Sequence, residues 1–533
     1  MKMNTKIKEL SAFIECSEGR TPTVKTLKQY IEILREFGYT HLYLGLTDAF
    51  KICGEPYFNF ERGGYTLDQL REIDAYAEEK GIELRAGIQA LGHLGAVNKN
   101  TSYQDLFDTY GTLMVGKEEV YQFLDKIFAT TASGIKSRVI HIGMDDVYTL
   151  GLGRYLREHG YTDKKTLFFT HLQRVVEISK KYGYTCEVWS DAFRKFIQEE
   201  SVDNVQEMLP EGVRIVHYEG LKQTESEFRN KLAMSQSICE RVTVAGCAWR
   251  CFGLAPDNRY SIHVAEQQLK ACAQLGVEHY MLMLRDNQSN AGSHCSIFAV
   301  LPTVYATAEM AAGKKFEDID RKKFKQILGV EFDDFMLLDN LNNPFFKELP
   351  ERNARCRWGL WSDLFLGSYD LYLDEHTNEA YENLEKCYAK VEPGNYKQLF
   401  KLYQLYAKVL SVKMNLGVQI RTAYRERNKE LLRKYAEDNI PQLILYMKQF
   451  IEDYEDYWLN ENMAFGIEVH HLFYGGLITR WEYVAGRLLQ YLEDDQAIAE
   501  MERPELLPSI IPPVDEDSCM ETDYHYLITR CEI

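Results

Sequence analysis

The sequence predicts a (β/α)₈ TIM barrel followed by an all-helical C-terminal domain. The chain of 533 residues is too long for one ordinary hydrophobic core. Between Leu10 and about Met310, short apolar runs alternate with helical stripes eight times, and long helical patterns without strands come after them. An open doubly wound sheet is the alternative architecture. No glycine-rich phosphate turn follows the first strand, however, and eight units favour a closed barrel.

The predicted barrel strands are runs of apolar and β-branched residues, several of them preceded by a helical stripe that ends at a glycine. The eight predicted strands cover residues 10–16, 41–46, 82–88, 139–142, 185–189, 213–218, 242–249 and 277–283. The predicted helices between them include a stripe from Leu27 that ends at Gly38 and the segments 67–80, 168–181, 225–239, 263–275 and 298–311. A long insertion separates the third and fourth strands.

The second half of the chain predicts helices only. Residues 313–345 are charged and are expected to be loop-like, and helical patterns then cover 399–414, 422–434, 441–457 and 475–492. We therefore expect a catalytic barrel over residues 1–312 and a helical domain over residues 313–533, which ends in an acidic, proline-containing tail.

Charge and composition exclude several classes of partner. The net charge of −18 disfavours nucleic acid and anionic membrane surfaces, because both require a basic face. The N-terminal residues contain no apolar signal segment and no apolar run approaches about 18 residues, so a cytoplasmic protein is expected. The 12 cysteines form no disulfide or zinc framework, and we expect neither a metal nor an organic cofactor.

Two adjacent carboxylates mark the candidate catalytic centre. The fourth strand runs into Gly143 and then delivers Asp145 and Asp146 at its C-terminal tip. Neighbouring carboxylates repel each other, and repulsion or partial burial can keep one of them protonated for use as a general acid. A solvated loop start is the alternative interpretation of this pair.

Other polar and aromatic side chains follow the remaining strands and should meet the acid pair at the barrel mouth. These are Glu15, Arg20, Asp48, Gln89, His93, Trp189, Asp191, Tyr218, Glu219, Trp249, Arg250, Asp286 and Asn287. Aromatic rings stack on sugar faces, and charged side chains hold hydroxyls by charge-assisted hydrogen bonds. The set predicts a small-carbohydrate site, although each member could also be a core or loop residue.

Several motifs resemble family 20 glycoside hydrolases, the β-N-acetylhexosaminidases. His141-Ile-Gly-Met-Asp-Asp146 is similar to the His-x-Gly-x-Asp-Glu signature of that family. Further motifs resemble the bacterial and hexosaminidase D-like branch without an N-terminal accessory domain, in chain order Tyr57-Phe, Arg62-Gly-Gly-Tyr-Thr66, Ile88-Gln-Ala-Leu-Gly-His-Leu94, Gly151-Leu-Gly-Arg-Tyr155, Trp189-Ser-Asp-Ala-Phe193 and Ala248-Trp-Arg. In the helical half, Gly466-Ile-Glu-Val469 and Gly475-Gly-Leu-Ile-Thr-Arg480 extend the likeness.

The resemblance implies substrate-assisted retaining hydrolysis, in which the 2-acetamido oxygen of the sugar attacks the anomeric carbon. Asp145 would orient the acetamide, and Asp146 would protonate the leaving oxygen and later deprotonate water. Arg20 would hold sugar hydroxyls. The remaining substrate-binding residues implied at the mouth are Gln89, His93, His141, Trp189, Asp191, Tyr218, Glu219, Trp249 and Asp286.

The chain departs from the family pattern at three places. The family acid is Glu, whereas Asp146 is one methylene shorter, which moves its oxygens back by about 1.5 Å. Leu284-Arg-Asp286 replaces a Trp-Gly-Asp motif after strand eight, and His217-Tyr-Glu219 replaces a Trp-Asp-Tyr-like motif after strand six. A sugar-binding member with weak or no hydrolysis, or a hydrolase of a different glycoside, therefore stands beside an exo-N-acetylhexosaminidase.

Overall fold

A closed barrel of eight parallel strands confirms the predicted (β/α)₈ fold. The computed structural model describes residues 7–17, 19–199, 202–221, 223–250, 253–284, 294–346 and 354–502, and the statements below concern these residues. The strands are β1 Glu9–Glu15, β2 His41–Gly45, β3 Glu83–Gly87, β4 Val139–His141, β5 Thr185–Trp189, β6 Arg214–Tyr218, β7 Val242–Cys247 and β8 His279–Leu284. Each strand pairs with its sequence neighbours, and β1 closes the barrel against β8.

Helices on the outside connect the strands. In the first half of the chain they are Val24–Phe37, Leu67–Glu79, Gly95–Asn98, Glu118–Gly134, Arg154–His159, Lys164–Lys180, Asp191–Glu199, Val202–Met208, Glu225–Ile238, Asn258–Leu275 and Leu301–Ala311. A small hairpin, Phe107–Thr109 with Thr112–Leu113, lies in the insertion between β3 and β4. The two helices after β5 were not predicted from the sequence.

The ring of Phe13 fills the centre of the barrel. Phe13 lies in register with Tyr43 on β2, and their ring centroids are 6.1 Å apart. A Cβ added at Gly45 would lie 2.7 Å from this ring, and one added at Gly87 would lie 2.9 Å from it. These two glycines therefore leave the space that the ring occupies, and the interior is packed rather than open.

Charged groups line the lower part of the barrel interior. The hydroxyl of Tyr43 donates to Glu187 Oε2 at 2.8 Å and accepts from Arg85 Nη1 at 2.8 Å. Arg85 also pairs with Glu9 at 3.3 Å, and Glu9 pairs with Arg241 at 2.7 Å. These hydrogen bonds satisfy buried charges that would otherwise destabilise the fold.

The second half of the chain is helical, as predicted. Its α-helices are Arg321–Leu328, Phe332–Met336, Arg355–Trp361, Thr377–Tyr388, Lys397–Arg425, Lys429–Lys434, Ile440–Glu461 and Ile467–Asp494. Across both halves of the chain, the short 3₁₀ turns are Thr101–Leu106, Ile297–Val300, Phe316–Asp318, Leu337–Leu341, Asp370–Tyr372, Gly394–Tyr396 and Ala499–Met501, and Tyr435–Asn439 is a π-helix turn. In the described part of the chain, no helix is long and apolar enough to cross a membrane.

Three predictions for this half need correction. Residues 313–345, expected to be loop-like, contain two short α-helices whose buried Phe324 and Phe335 pack against each other with ring centroids 5.7 Å apart. The predicted helix 422–434 is interrupted by residues 426–428, because the preceding helix extends to Arg425. The last helix begins at Ile467, eight residues before the predicted start at Gly475.

The end of the helix Ile440–Glu461 contacts the loop after β1. The carbonyl of Glu461 accepts from the backbone N–H of Thr23 at 2.9 Å and from the hydroxyl of Thr26 at 2.7 Å. The N–H of Met463 donates to the carbonyl of Thr21 at 2.7 Å. The helical half is thereby joined by backbone hydrogen bonds to the barrel loop that carries Arg20. The domain boundary at residue 312 stays a prediction.

Candidate active site

The paired acids lie at the C-terminal end of β4, in an unusual local backbone. β4 is only three residues long, because Gly143 and Met144 both adopt the left-handed region, with φ of 70° and 71°. Asp146 is left-handed as well, with φ of 50°. Such conformations are uncommon for residues other than glycine, although aspartate tolerates them better than most. The turn places both carboxylates at the barrel mouth.

His93 lies between the two acids. Its Nε2 atom is 3.1 Å from Asp145 Oδ2 and 3.6 Å from Asp146 Oδ2. Gln89 Nε2 approaches the other oxygen of Asp145 at 3.5 Å. The sequence-predicted residues Gln89, His93, Asp145 and Asp146 are therefore brought together by the ends of β3 and β4.

The charges of this group follow from their mutual contacts. Burial by itself lowers the pKa of His93, but the hydrogen bonds to Asp145 and Asp146 outweigh it and raise the pKa to about 10. Burial by itself raises the pKa of Asp145, but the hydrogen bond and charge of His93 produce a net lowering. At neutral pH the site therefore holds an imidazolium beside an ionised Asp145.

The same three side chains also present metal-ligand atoms within 4.8 Å of one another. A histidine that binds a metal must offer an unprotonated nitrogen. The raised pKa of His93 favours a proton on Nε2, which lies 3.1 Å from Asp145 Oδ2, and a metal ion would have to displace that proton. The three side chains form a hydrogen-bonded group whose arrangement suits proton transfer.

His141 supports the site from below. Burial lowers the pKa of His141 to about 3, so the imidazole is neutral. Its Nδ1 accepts from the N–H of Gly143 at 3.1 Å, which fixes the turn before the acid pair. The ring of Trp189 packs on the imidazole, with centroids 4.0 Å apart. His141 is therefore buried under the acid pair, and a direct contact with substrate stays a prediction.

Three predicted aromatic residues form one wall of the mouth. Trp189 and Tyr218 meet edge to face with centroids 5.8 Å apart. Nε1 of Trp249 donates to the carbonyl of Gly220 at 2.9 Å, which fixes the indole plane. A Cβ added at Gly220 would lie 2.7 Å from Trp249 Cζ2 and 2.9 Å from the Tyr218 hydroxyl oxygen, so these two side chains converge there. Trp358 of the helical half packs against the same cluster.

Asp191 and Glu219 share a cation that sequence reasoning missed. Arg194 pairs with Asp191 and also lies 3.3 Å from Glu219 Oε2. Lys231 reaches the same Glu219 oxygen at 2.9 Å. Burial raises the pKa of Asp191, and the charge of Arg194 only partly offsets this effect. Both acids are near the mouth but are held by protein cations, and their contact with substrate stays a prediction.

Arg20 and Asp286 are the last two members of the implied substrate-binding set. Arg20 is buried, with 8% of its surface exposed, in the loop after β1 that the helical half contacts. Asp286 lies outside the residues that the structure describes, as does Asn287.

Two further polar groups were missed by sequence reasoning. Tyr148 donates from its hydroxyl to Asp146 Oδ1 at 2.6 Å. Its position two residues beyond the acid pair was the available signal. Glu461, from the helical half, accepts from Tyr457 and Ser296 at 2.7 and 2.5 Å and lies 3.4 Å from His294 Nε2. No local pattern connects residues that lie about 160 positions apart.

The fold and the site together define a (β/α)₈ protein with an acid pair at its catalytic end. Two family models match the chain, namely the catalytic domain of glycosyl hydrolase family 20 at residues 55–232 and the glycoside hydrolase 20C C-terminal domain at residues 333–519. The chain belongs to glycoside hydrolase family 20.

The chain is similar to several known proteins over parts of its length. A β-hexosaminidase of Vibrio furnissii is 32% identical over 195 residues, which cover 33% of this chain and 30% of that protein. The β-hexosaminidase subunit alpha of Rattus norvegicus is 25% identical over 143 residues, 24% of this chain and 27% of that protein. The matched segments thus span less than a third of these relatives. A β-N-acetylhexosaminidase structure from Bacteroides fragilis has a TM-score of 0.48 at 17% identity, covering 61% of this chain and 70% of that one.

Proposed function

We propose that this protein is an exo-acting glycosidase that releases a terminal β-linked N-acetylhexosamine by a substrate-assisted, retaining mechanism. The observation that carries the proposal is the acid pair bridged by His93 at the end of β4, with Nε2 at 3.1 Å from Asp145 and 3.6 Å from Asp146. Its location at the C-terminal end of a closed barrel is where catalytic groups of this fold are found.

Asp145 is the residue proposed to act on the acetamido group. The imidazolium of His93 keeps the pKa of Asp145 low, so its carboxylate is charged at neutral pH. A fixed negative charge would accept the acetamide N–H, orient the carbonyl oxygen toward the anomeric carbon and stabilise the positive charge that develops on the ring being formed. Trp189, Tyr218 and Trp249 supply an aromatic wall for this group.

Asp146 is the residue proposed to handle the proton. About 44% of its side chain is exposed, so that it faces the space where a leaving group would depart. The protonated carboxyl would donate to the glycosidic oxygen as the bond to the anomeric carbon breaks, and the carboxylate would then take a proton from the attacking water. Arg20 would hold sugar hydroxyls by charge-assisted hydrogen bonds.

Neighbouring-group participation is tested with a matched panel of aryl glycosides. The panel pairs 2-acetamido sugars with the corresponding 2-hydroxy sugars, and wild type is compared with Asp145→Ala. We expect wild type to hydrolyse the acetamido members and Asp145→Ala to lose at least about 100-fold on them. Equal turnover of both classes by wild type, or an unchanged Asp145→Ala enzyme, would contradict the proposal.

A second function is favoured by one observation, the short acid. Asp146 places its oxygens about 1.5 Å behind those of a glutamate, and a misplacement of about 1 Å can reduce a rate about 100-fold. A protein of this family that binds N-acetylhexosamines without cleaving them would fit that change. Calorimetric binding of N-acetylglucosamine together with no hydrolysis across the panel would select this alternative.

A further inference from the structure

The two oxygens of Asp146 face different partners. Oδ2 is directed at His93, with Nε2 at 3.6 Å, whereas Oδ1 accepts a hydrogen bond from the hydroxyl of Tyr148 at 2.6 Å. The tyrosine follows the acid by only two residues, and the left-handed backbone of Asp146 turns the chain between them. The outer oxygen of the proposed acid is thus engaged by a phenol rather than presented directly to a leaving group.

Tyr148 is held at the surface of the mouth. Its ring is 59% exposed, and the ammonium of Lys195 lies 4.3 Å from the ring centroid. The ammonium of Lys164 donates to its backbone carbonyl at 2.6 Å. The hydrogen bond to Asp146, with burial second, raises the pKa of Tyr148 to about 12, so the phenol keeps its proton at neutral pH. A neutral, exposed hydroxyl therefore lies next to the acid.

The reach of this hydroxyl compensates for the short side chain. An aspartate falls about 1.5 Å short of a glutamate. A hydroxyl hydrogen-bonded to the carboxyl extends the acidic group by about 2.7 Å, the usual O–H···O separation. The hydroxyl of Tyr148 therefore reaches somewhat farther than a glutamate oxygen would. Small movements of the exposed side chain and of the substrate take up the difference between the two positions.

We propose that Tyr148 is a catalytic residue that relays the proton between Asp146 and the glycosidic oxygen. The inference rests on the proposed hydrolase function. In the first step the phenolic O–H bond breaks and its proton passes to the glycosidic oxygen, while the carboxyl proton of Asp146 passes to the phenolic oxygen. The acetamide oxygen bonds to the anomeric carbon as the bond from that carbon to the glycosidic oxygen breaks, and the electron pair of the broken bond stays on the leaving oxygen, which is now a neutral alcohol.

The second step reverses the direction of transfer. A water molecule attacks the anomeric carbon and gives a proton to the phenolic oxygen, while the phenolic proton returns to Asp146. The bond between the anomeric carbon and the acetamide oxygen breaks as this happens. The acetamide, Tyr148 and Asp146 are then in their starting states, so the relay needs no further reactant.

The experiment compares Tyr148→Phe with wild type on two acetamido glycosides that differ only in the leaving group. One carries an alkyl alcohol, which needs a proton to leave, and the other carries 2,4-dinitrophenolate, which does not. We expect kcat/KM, which reports the step in which the leaving group departs, to fall about 100-fold or more on the alkyl glycoside and by less than about threefold on the dinitrophenyl glycoside. Equal loss on both substrates, or no loss on either, would overturn the relay.

Two controls separate chemistry from folding. Tyr161→Phe removes the hydroxyl of another exposed tyrosine, 76% exposed, and should leave both substrates unaffected. The double variant Tyr148→Phe with Asp146→Glu supplies the missing methylene and should recover at least about tenfold of the alkyl activity, because a longer acid no longer needs the relay. If circular dichroism shows that the double variant is folded and the alkyl activity is still not recovered, the relay is contradicted.

The outcomes also distinguish the relay from the proposed function. Wild type that hydrolyses neither acetamido glycoside would remove the hydrolase proposal, and with it the reaction that the relay serves. Wild type that hydrolyses both, with Tyr148→Phe equally active on both, would remove only the relay.

Discussion

Nε2 of His93 lies 3.1 Å from Oδ2 of Asp145, and this contact fixes opposite charges on the two side chains at neutral pH. The contacts with the two acids raise the pKa of His93, and His93 in turn lowers the pKa of Asp145. The acid pair is thus not two equivalent carboxyls that share one proton. His93 makes the two acids different, because it holds Asp145 in the ionised form and leaves Asp146 as the more exposed acid.

The pH profile of catalysis should depend on His93. His93→Gln removes the cation but keeps a hydrogen-bonding side chain, so the pKa of Asp145 should rise. Because the ionised form of Asp145 is the proposed active form, the acid limb of kcat/KM against pH should move to higher pH, with a loss in kcat of about 10-fold to 100-fold. An acid limb in the same place as that of wild type would show that His93 does not set the charge of Asp145.

Asp146→Asn is the variant that isolates the proton. Asparagine tolerates the left-handed φ of 50° nearly as well as aspartate, so the turn should persist and the melting temperature should stay within about 2 °C. Hydrolysis of an alkyl N-acetylhexosaminide should fall about 100-fold to 1,000-fold. If alkyl turnover is unchanged in this variant, Asp146 has no part in proton transfer.

His93 and Lys413 should give opposite slopes of stability against pH. The pKa of His93 is raised from 6.5 to about 10 on folding, so its contribution is fully present below pH 6.5 and is lost as pH rises toward 10. Burial lowers the pKa of Lys413 from 10.5 to about 7, so stability from this group instead increases as pH rises from 7 to 10. Each slope is about 1.4 kcal/mol per pH unit, and they nearly cancel in wild type.

Single variants should reveal the two slopes in chemical denaturation between pH 7 and 10. His93→Gln should gain stability as pH rises, whereas Lys413→Met should lose it. Lys448→Met, which changes an exposed lysine, is the matched control and should behave like wild type. Parallel curves for His93→Gln and Lys413→Met would refute this assignment.

Glu461 should position the sugar site from the helical half. Its carboxylate is buried and accepts from Ser296, Tyr457 and the N–H of Ile297. Glu461→Leu leaves these donors unpaired, and we expect a loss of about 3 kcal/mol in the free energy of unfolding. Because Ser296 and Ile297 lie in the segment after β8, KM should rise more than kcat falls.

The matched control for this change is Glu452→Gln, an exposed glutamate on the same helix. It should alter neither stability nor KM. Glu461→Gln, which keeps the shape of the side chain, should recover part of the lost affinity. An increase in KM for Glu452→Gln of the same size as for Glu461→Leu would mean that the effect is not local to the buried cluster.

The barrel could be predicted from the sequence because each strand is marked locally, by an apolar run that is often preceded by a helix-ending glycine. All eight predicted strands overlap observed ones, and each predicted end lies within two residues of the observed end. The start of the last helix was predicted too late because Gly475 and Gly476 resemble helix breakers. Both glycines are exposed within a long helix and no atom lies within 4 Å of an added Cβ, so tertiary packing overrides their low propensity.

The candidate site was predicted in part, for a similar reason. Asp145, His93 and Trp189 could be found because each lies at the end of a predicted strand or in the loop that follows it. The charges of these side chains could not be predicted, since they depend on a 3.1 Å contact between residues 52 positions apart. Tyr148 does not lie at the end of a predicted strand, and Glu461 comes from the other half of the chain. Neither residue was therefore predicted from the sequence.

The carbonyl of Glu461 bonds to the barrel loop through the N–H of Thr23, and this contact has a consequence for unfolding. A barrel separated from the helices would expose this loop's polar groups and the apolar surface beneath the helix Ile440–Glu461. The two halves should therefore melt in a single calorimetric transition rather than in sequence. The helical half would then stabilise the barrel loop that carries Arg20. A destabilising substitution in the helices would therefore first be detected as weaker substrate binding.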